Sequence, residues 1–401
     1  MKLLLLTNEF ALPVNAGGVR RQLGLLEALS ARHDLHLLAR QRDRDTPAVL
    51  VAELRERLGG ATVEAFPARP ETWATGKRVT AQRWARAVRD RQPAWTERSV
   101  SRPLVIRARE LAPGFDAAIT LDDTAHTYVE RVGDLVPFVI DKHNVLAWSR
   151  RVRGGLQPQA RLEHWLVAHW ERRTVGLAGA TVVTSEDEAA RFRELYGRDP
   201  FVVPSAIPPP AHVADPAAAP RDVVWLGDHR YAPNTDGLLR FAREAWAPLG
   251  ETGARLFVAG REPTEAVRAL TELPGVEVLG FVDDLAALLG RCRAAVAPVW
   301  EGAGIKMKTL ELMGAGLPVA GTTVAFEGIA VQHGVDGLVA DDPSRLGAAL
   351  AEVLDDPSRA AAIGHAAHAR IVREHTWEHI IGRYDDALRA AVRTRRAQPA
   401  G

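Results

Sequence analysis

Short apolar runs and longer segments with apolar residues three and four apart alternate along the whole chain. The run at residues 2–6 is continuous rather than alternating, and further short strand-like runs lie at 35–38, 61–66, 115–121, 136–141, 180–184 and 201–204. That pattern predicts strands covered on both faces of a parallel sheet. A second series follows at 222–227, 256–260, 276–279, 294–299, 317–320 and 337–339. Between the runs, residues 19–32 carry Leu23, Leu26 and Leu29 on one side, and 49–58, 161–177 and 305–314 also read as helices. Ser185 with Glu188 three residues on predicts a capping box. Residues 205–220, rich in Pro and Ala and including Pro208, Pro209 and Pro210, read as a linker. A chain of 401 residues exceeds one core. The expectation is α/β: two doubly wound Rossmann-like domains facing across a cleft.

The first run, 2–6, is too short for a secretory leader, and Thr7-Asn8-Glu9 ends it. No run approaches the ~18 apolar residues of a membrane span. Composition changes this picture little: 47% hydrophobic, 25% charged and a net charge of +1 describe a soluble globular protein with no call for nucleic acid. The one cysteine, Cys292, excludes a disulfide framework, suits a reducing cytoplasm and reads as a buried structural thiol. One block stands out. From Lys77 to Glu110 there are ten Lys or Arg against three acidic residues, and Trp73, Trp84 and Trp95 are spaced eleven apart. A solvated arginine face over a tryptophan-anchored core is the preferred reading. A peripheral contact of segment 73–110 with an anionic membrane, at the inner face, is the sharper one.

The candidate chemistry concentrates at residues 297–320, A-P-V-W-E-G-A-G-I-K-M-K-T-L-E-L-M-G-A-G-L-P-V-A. Glu301-Gly302-Ala303-Gly304 joins a strand to a helix with residues small enough for a ligand to reach the backbone. Free N–H groups and the positive dipole end at such a junction suit phosphate. Lys306 and Lys308 add charge there that opposes the dipole unless an anion joins them. Glu311, a turn further on, has the character to accept hydrogen bonds from a ribose diol. Gly17-Gly18 follow the first strand, and Gly227 and Arg230 follow the strand at 222–227. His143 and Asn144 follow the strand at 136–141. Phe281 and Val282 lie in the turn 280–284, where Asp283 or Asp284 could equally be a helix N-cap. There is no G-x-G-x-x-G, and no Asp-x-Asp between a strand and a loop suggests a metal site.

The 297–320 stretch resembles the donor segment of GT-B-fold retaining glycosyltransferases of family 4, in the subgroup reading G-x-G-[I/T]-[K/R]-x-K-x-L-E-A-M-A-x-G-x-P-V. Nine residues separate Glu301 from Glu311 here, where the more familiar version has seven. The resemblance is specific at 294–320, moderate at 222–240 and 276–290, and weak in residues 1–200. It implies domains at 1–207 and 208–376, with 377–401 a last helix returning to the first domain and a tail disordered from 393. It implies a nucleotide sugar as substrate, no cofactor and no metal, and a small-molecule, glycan or lipid-linked acceptor. His143 would lie at the donor sugar, with Glu301 and the 302–304 backbone. Gly17 and Gly18 would lie beside the donor phosphates, Phe281 and Val282 at the base. In the broader family the loop after 222–227 often carries an Arg and a Lys for the diphosphate. Pro233-Asn234-x-Asp236-Gly237 stands there instead, so Lys306 and Lys308 would supply that charge, with Arg230 as helper. A nucleotide-sugar epimerase of similar form is the rival enzyme, though the acid and base carboxylates it needs are not evident. A non-catalytic nucleotide-sugar binder is the rival of another class.

Overall fold

The computed structural model describes residues 1–14, 17–41, 48–66, 77–148, 158–210, 212–302 and 304–397. Ala303 and Trp73 therefore lie outside the described residues. The chain forms two compact units, Met1–Val203 with Ile381–Gly401, and Pro204–Ile380.

The first unit is built on an all-parallel sheet of seven strands: β1 (Lys2–Thr7), β2 (Asp34–Arg40), β3 (Thr62–Phe66), β4 (Ala117–Thr120), β5 (Phe138–Asp141), β6 (Ala180–Val183) and β7 (Phe201–Val202). Their order is β3-β2-β1-β4-β5-β6-β7. Leu3, Leu4, Leu5 and Leu6 are wholly buried, as a central strand with helices on both faces requires. The strand order reverses between β1 and β4, so their carboxyl ends flank a topological switch point. Asp122 ties those ends together, its Oδ2 accepting from Thr7 Oγ1 at 2.9 Å and Asn8 N at 2.8 Å.

The second unit repeats the scheme with β8 (Asp222–Leu226), β9 (Arg255–Ala259), β10 (Val276–Gly280), β11 (Ala294–Ala297), β12 (Val319–Gly321) and β13 (Leu338–Val339), ordered β10-β9-β8-β11-β12-β13. Its switch point falls between β8 and β11. One side of the core holds Trp225, Phe241 and Trp246; Cys292 is buried on the other with Leu310, Leu312 and Phe257. Burial pushes the Cys292 thiol up to about 12, so it is an inert structural side chain.

Several boundaries differ from the sequence pattern. The stretch 205–220 is not a loose tether: Ile207 N donates to His375 O at 2.9 Å and Ala214 N to Ala315 O at 2.8 Å, and both side chains are buried in the second unit. The loop expected to run to Gly237 is already helical from Ala232, because Pro233 sits in the first turn, where its missing N–H costs nothing. Only half of the capping box forms. Ser185 accepts from Glu188 N, while the Glu188 carboxylate takes Val145 N at 2.7 Å. The last helix runs from Trp377 to Ala397, four residues past the predicted onset of disorder.

Candidate functional site

In the second unit, β8 and β11 bring two loops to one sheet end. The helix Ala232–Phe241 approaches closely enough that a Cβ on Gly237 would lie 1.9 Å from Pro298 O, so only glycine fits there. Gly302 and Gly304 have φ of +136° and +76°, backbone that glycine adopts readily and other residues do not. The helix after them starts at Met307, two residues later than the pattern suggested. Lys306 is thus its N-cap residue, with extended backbone. Its Nζ donates to Gly304 O at 2.6 Å and pairs with Glu327 at 3.2 Å. Lys308 lies in the first turn. Its Nζ donates to Asn234 Oδ1 at 2.7 Å and rests 5.3 Å above the centre of the Trp225 ring.

Two cations thus share the mouth of a glycine loop, and only Lys306 has a carboxylate among the described residues. Burial lowers the Lys306 amine from its usual range, against the opposing pull of Glu327. Burial, with the charge of Lys306, lowers Lys308 further, to about 7. Glu311 follows on the same helix, half-buried. Glu301 is exposed beside the loop. Gly227 N donates to Ala259 O at 3.1 Å at the end of β8. Arg230 does not join the lysines: its guanidinium is held two-pronged on Asp228 at 3.1 and 2.8 Å. Phe281 is 57% exposed with Arg261 4.6 Å over its ring, and Val282 packs on the core. Asp284 is the N-cap of the helix Leu285–Gly290, accepting from Ala287 N at 2.9 Å.

Sequence reasoning gave no role to three residues that the fold brings to this cluster. Asn234 is the Lys308 acceptor, and Trp225, read only as strand, is the platform beneath it. His229 is stacked on Trp225 (5.1 Å, 29°) and buried, with neither ring nitrogen hydrogen-bonded among the described residues. Burial lowers its pKa, against the opposing pull of Asp228, and so favours the neutral ring. A tryptophan in a continuous apolar run carries no signal of this kind.

In the first unit, His143 follows β5 and Gly18 opens the helix after β1. A Cβ on Gly18 would lie 3.4 Å from His143 Nδ1, so the structure brings these two candidates together. Gly17 is exposed at the start of that helix. His143 Nε2 is buried without a hydrogen-bond partner among the described residues. The run around it is clamped by two buried glutamates. Glu171 takes Lys142 Nζ at 2.5 Å, Leu146 N at 3.1 Å, Ala147 N at 2.8 Å and Tyr196 OH at 2.5 Å, while Glu188 takes Val145 N. Burial opposes the charge on Lys142, but Glu171 and Asp123 outweigh it and hold the pKa above its usual value. Burial likewise works against the Asp123 carboxylate. His126, 3.5 Å away, and the charges of Lys142 and His143 outweigh it and hold that group at about 2.

Among the described residues of the 73–110 block, four arginines form ion pairs: Arg86 with Glu97, Arg89 with Asp90, Arg107 with Glu64 and Arg109 with Asp134. No described helix is long and apolar enough to cross a membrane.

Residues 220–356 match the family model described as Glycosyl transferases group 1. A D-inositol 3-phosphate glycosyltransferase of Thermobispora bispora is 38% identical over 257 residues, covering 56% of this chain and 60% of that protein. A glycogen synthase of Mycobacterium tuberculosis is 28% identical over 236 residues, covering 56% of this chain and 52% of that protein. The chain thus spans little more than half the length of these relatives. Among solved structures, Anabaena HepE in complex with UDP superposes with a TM-score of 0.68 at 16% identity, covering 97% of this chain and all of that one. The sucrose-phosphate synthase of Thermosynechococcus elongatus superposes with 0.69 at 18% identity, over 98% of this chain and all of that one. Two Rossmann-like parallel sheets in this arrangement of strands are the GT-B fold.

Proposed function

We propose that the chain is a nucleotide-sugar-dependent glycosyltransferase of the retaining, family 4 type, working without a metal. The observation that carries the reading is the pair of amines at the glycine-loop-to-helix junction, with Lys308 partnered among the described residues by a neutral amide and an indole face. Such a site stabilises a diphosphate, whose charge grows as the glycosidic bond breaks. Lys306 and Lys308 hold that diphosphate, with the backbone of Gly302 and Gly304 against the sugar. Glu311 takes the ribose diol, and the Phe281-Val282 turn meets the base. Gly227, Gly17 and Gly18 leave room for phosphate, and His143 reaches the donor sugar. Glu301 contributes to the sugar pocket. The departing phosphate deprotonates the acceptor, a hydroxyl-bearing small molecule, glycan or lipid-linked sugar. The matching relatives and the UDP complex of HepE support the reading.

A thermal-shift panel of UDP, GDP, ADP and dTDP, with and without EDTA, tests it. One nucleotide should stabilise the protein by a shift that survives EDTA and vanishes in Lys308→Ala. No shift with any of the four would overturn the proposal. A shift without sugar transfer to any acceptor would leave a binding protein in place of an enzyme.

A further inference from the structure

Tyr231 stands at the mouth of the glycine loop of the second unit, and none of the roles above uses it. It is the N-cap residue of the helix Ala232–Phe241, where its main-chain oxygen accepts from Asn234 N at 2.9 Å and Thr235 N at 3.4 Å. The phenol takes no part in the cap. The residue is 49% exposed, and its hydroxyl makes no hydrogen bond among the described residues. That hydroxyl reaches the loop. A Cβ built on Gly302 would lie 3.6 Å from Tyr231 Oη and 3.9 Å from Lys306 Nζ. The φ of +136° reserves the position for glycine, so the space beside the phenol and the amine stays open. Both sides of the opening are braced. The close approach of Gly237 to Pro298 O sets the helix against the chain that leads into the loop. Trp300 carries Arg240 4.5 Å over its ring and donates to Asp341 O at 2.7 Å. Asn234, in the first turn after Tyr231, holds Lys308.

The chemistry of the opening selects what fills it. An apolar group would strip water from the Lys306 amine without replacing its hydrogen bonds. An anionic oxygen takes an N–H from the amine and an O–H from the phenol together, and hydrogen bonds to a charged oxygen are the strong ones. The loop that carries Tyr231 brings no free cation to this point, because the Arg230 guanidinium is held by Asp228. A phenol supplies the missing hydrogen bond without adding a third positive charge beside two amines. We propose that Tyr231 is a further residue of the nucleotide-sugar site, its hydroxyl donating to the distal phosphate, the one that bears the sugar. The inference rests on the donor-site reading above. Charge grows on that phosphate as the glycosidic bond breaks, so the hydrogen bond strengthens during transfer.

Calorimetric titration of the full chain with UDP, GDP, ADP and dTDP, the matching monophosphates and the matching nucleotide glucoses tests it. For the nucleoside that binds, Tyr231→Phe should weaken the diphosphate about tenfold and leave the monophosphate, measured as a competitor, unchanged. Phosphorus NMR of the bound diphosphate should show the distal resonance displaced by the substitution more than the proximal one. The substitution removes one exposed oxygen, so the melting temperature without ligand should not move. Undiminished diphosphate affinity in Tyr231→Phe overturns the proposal and leaves the donor-site reading standing. So does an equal loss for mono- and diphosphate, which puts the hydroxyl elsewhere in the mouth. A loss confined to the nucleotide glucose overturns it too, by assigning the hydroxyl to the sugar. A parent protein that binds none of these nucleotides overturns both readings.

Discussion

Lys308 carries its charge in surroundings that oppose it, and this sets two expectations at the scale of single residues. Its amine is held near 7, against about 10.4 in an unfolded chain. Between those values the unfolded state binds more protons, so this group makes stability rise with pH across roughly pH 7 to 10. Below pH 7 the penalty is fully present. Lys308→Met should therefore be more stable than the parent at pH 6, with the gap closing toward pH 10 in urea melts of the ligand-free protein. A bound diphosphate favours the charged amine. Donor binding should then take up a proton and weaken as pH rises above 7, which calorimetric titration in two buffers of different ionisation heat measures. Loss of the charge in the transition state is costlier: Lys308→Ala should lower kcat/KM by about 10²–10³ while the fold stays intact. Arg230→Ala should change kcat/KM little, since its guanidinium is engaged by Asp228 and is 50% exposed.

Elements are held in register here by buried contacts that a substitution breaks cleanly. The run 142–147 hangs on Glu171, which is wholly buried and accepts four hydrogen bonds. Glu171→Ala removes the direct ion-pair partner of buried Lys142, and should cost about 3–5 kcal/mol in denaturant melts. The double variant Lys142→Met, Glu171→Leu should recover only the part of that loss due to the Lys142 charge, because Leu146 N, Ala147 N and Tyr196 OH still lose their acceptor. Because the clamp positions His143, Glu171→Gln should lower kcat while nucleoside diphosphate binding in the second unit is unchanged. Equal losses in both would mean that the clamp serves general stability only. In the second unit, Gly237→Ala drives a methyl against Pro298 O and should cost about 1–3 kcal/mol. The same displacement should release Asn234 from Lys308, seen as a further fall in nucleotide affinity.

At the scale of the molecule, the last helix belongs from Ile381 onward to the first unit. Tyr384, Leu388 and Ala391 are fully buried, and a Cβ on Gly179 would lie 2.8 Å from Ala391 Cα. Asp385 takes Arg32 at 2.7 Å and His33 at 2.8 Å. Ending the chain after Ile380 should strip this cover and expose first-unit core to a hydrophobic dye, while the second unit keeps its nucleotide-dependent thermal shift. The two sheets, by contrast, needed no tertiary information. Continuous apolar runs such as Leu3–Leu6 and Ala294–Ala297 cannot sit on a sheet with a wet face, and their alternation with helical spacing leaves doubly wound parallel sheets as the solution. The lysines of the glycine loop were also legible, because Gly302 and Gly304 mark a backbone that side chains would forbid. Other features were not, because they depend on residues far apart in sequence. Lys308 meets Asn234 across 74 positions, and Lys142 meets Glu171 across 29. The same holds for Trp225 beneath Lys308. Local pattern determines which face of an element is apolar; only packing decides which polar groups are buried together, and with them the charge each one keeps.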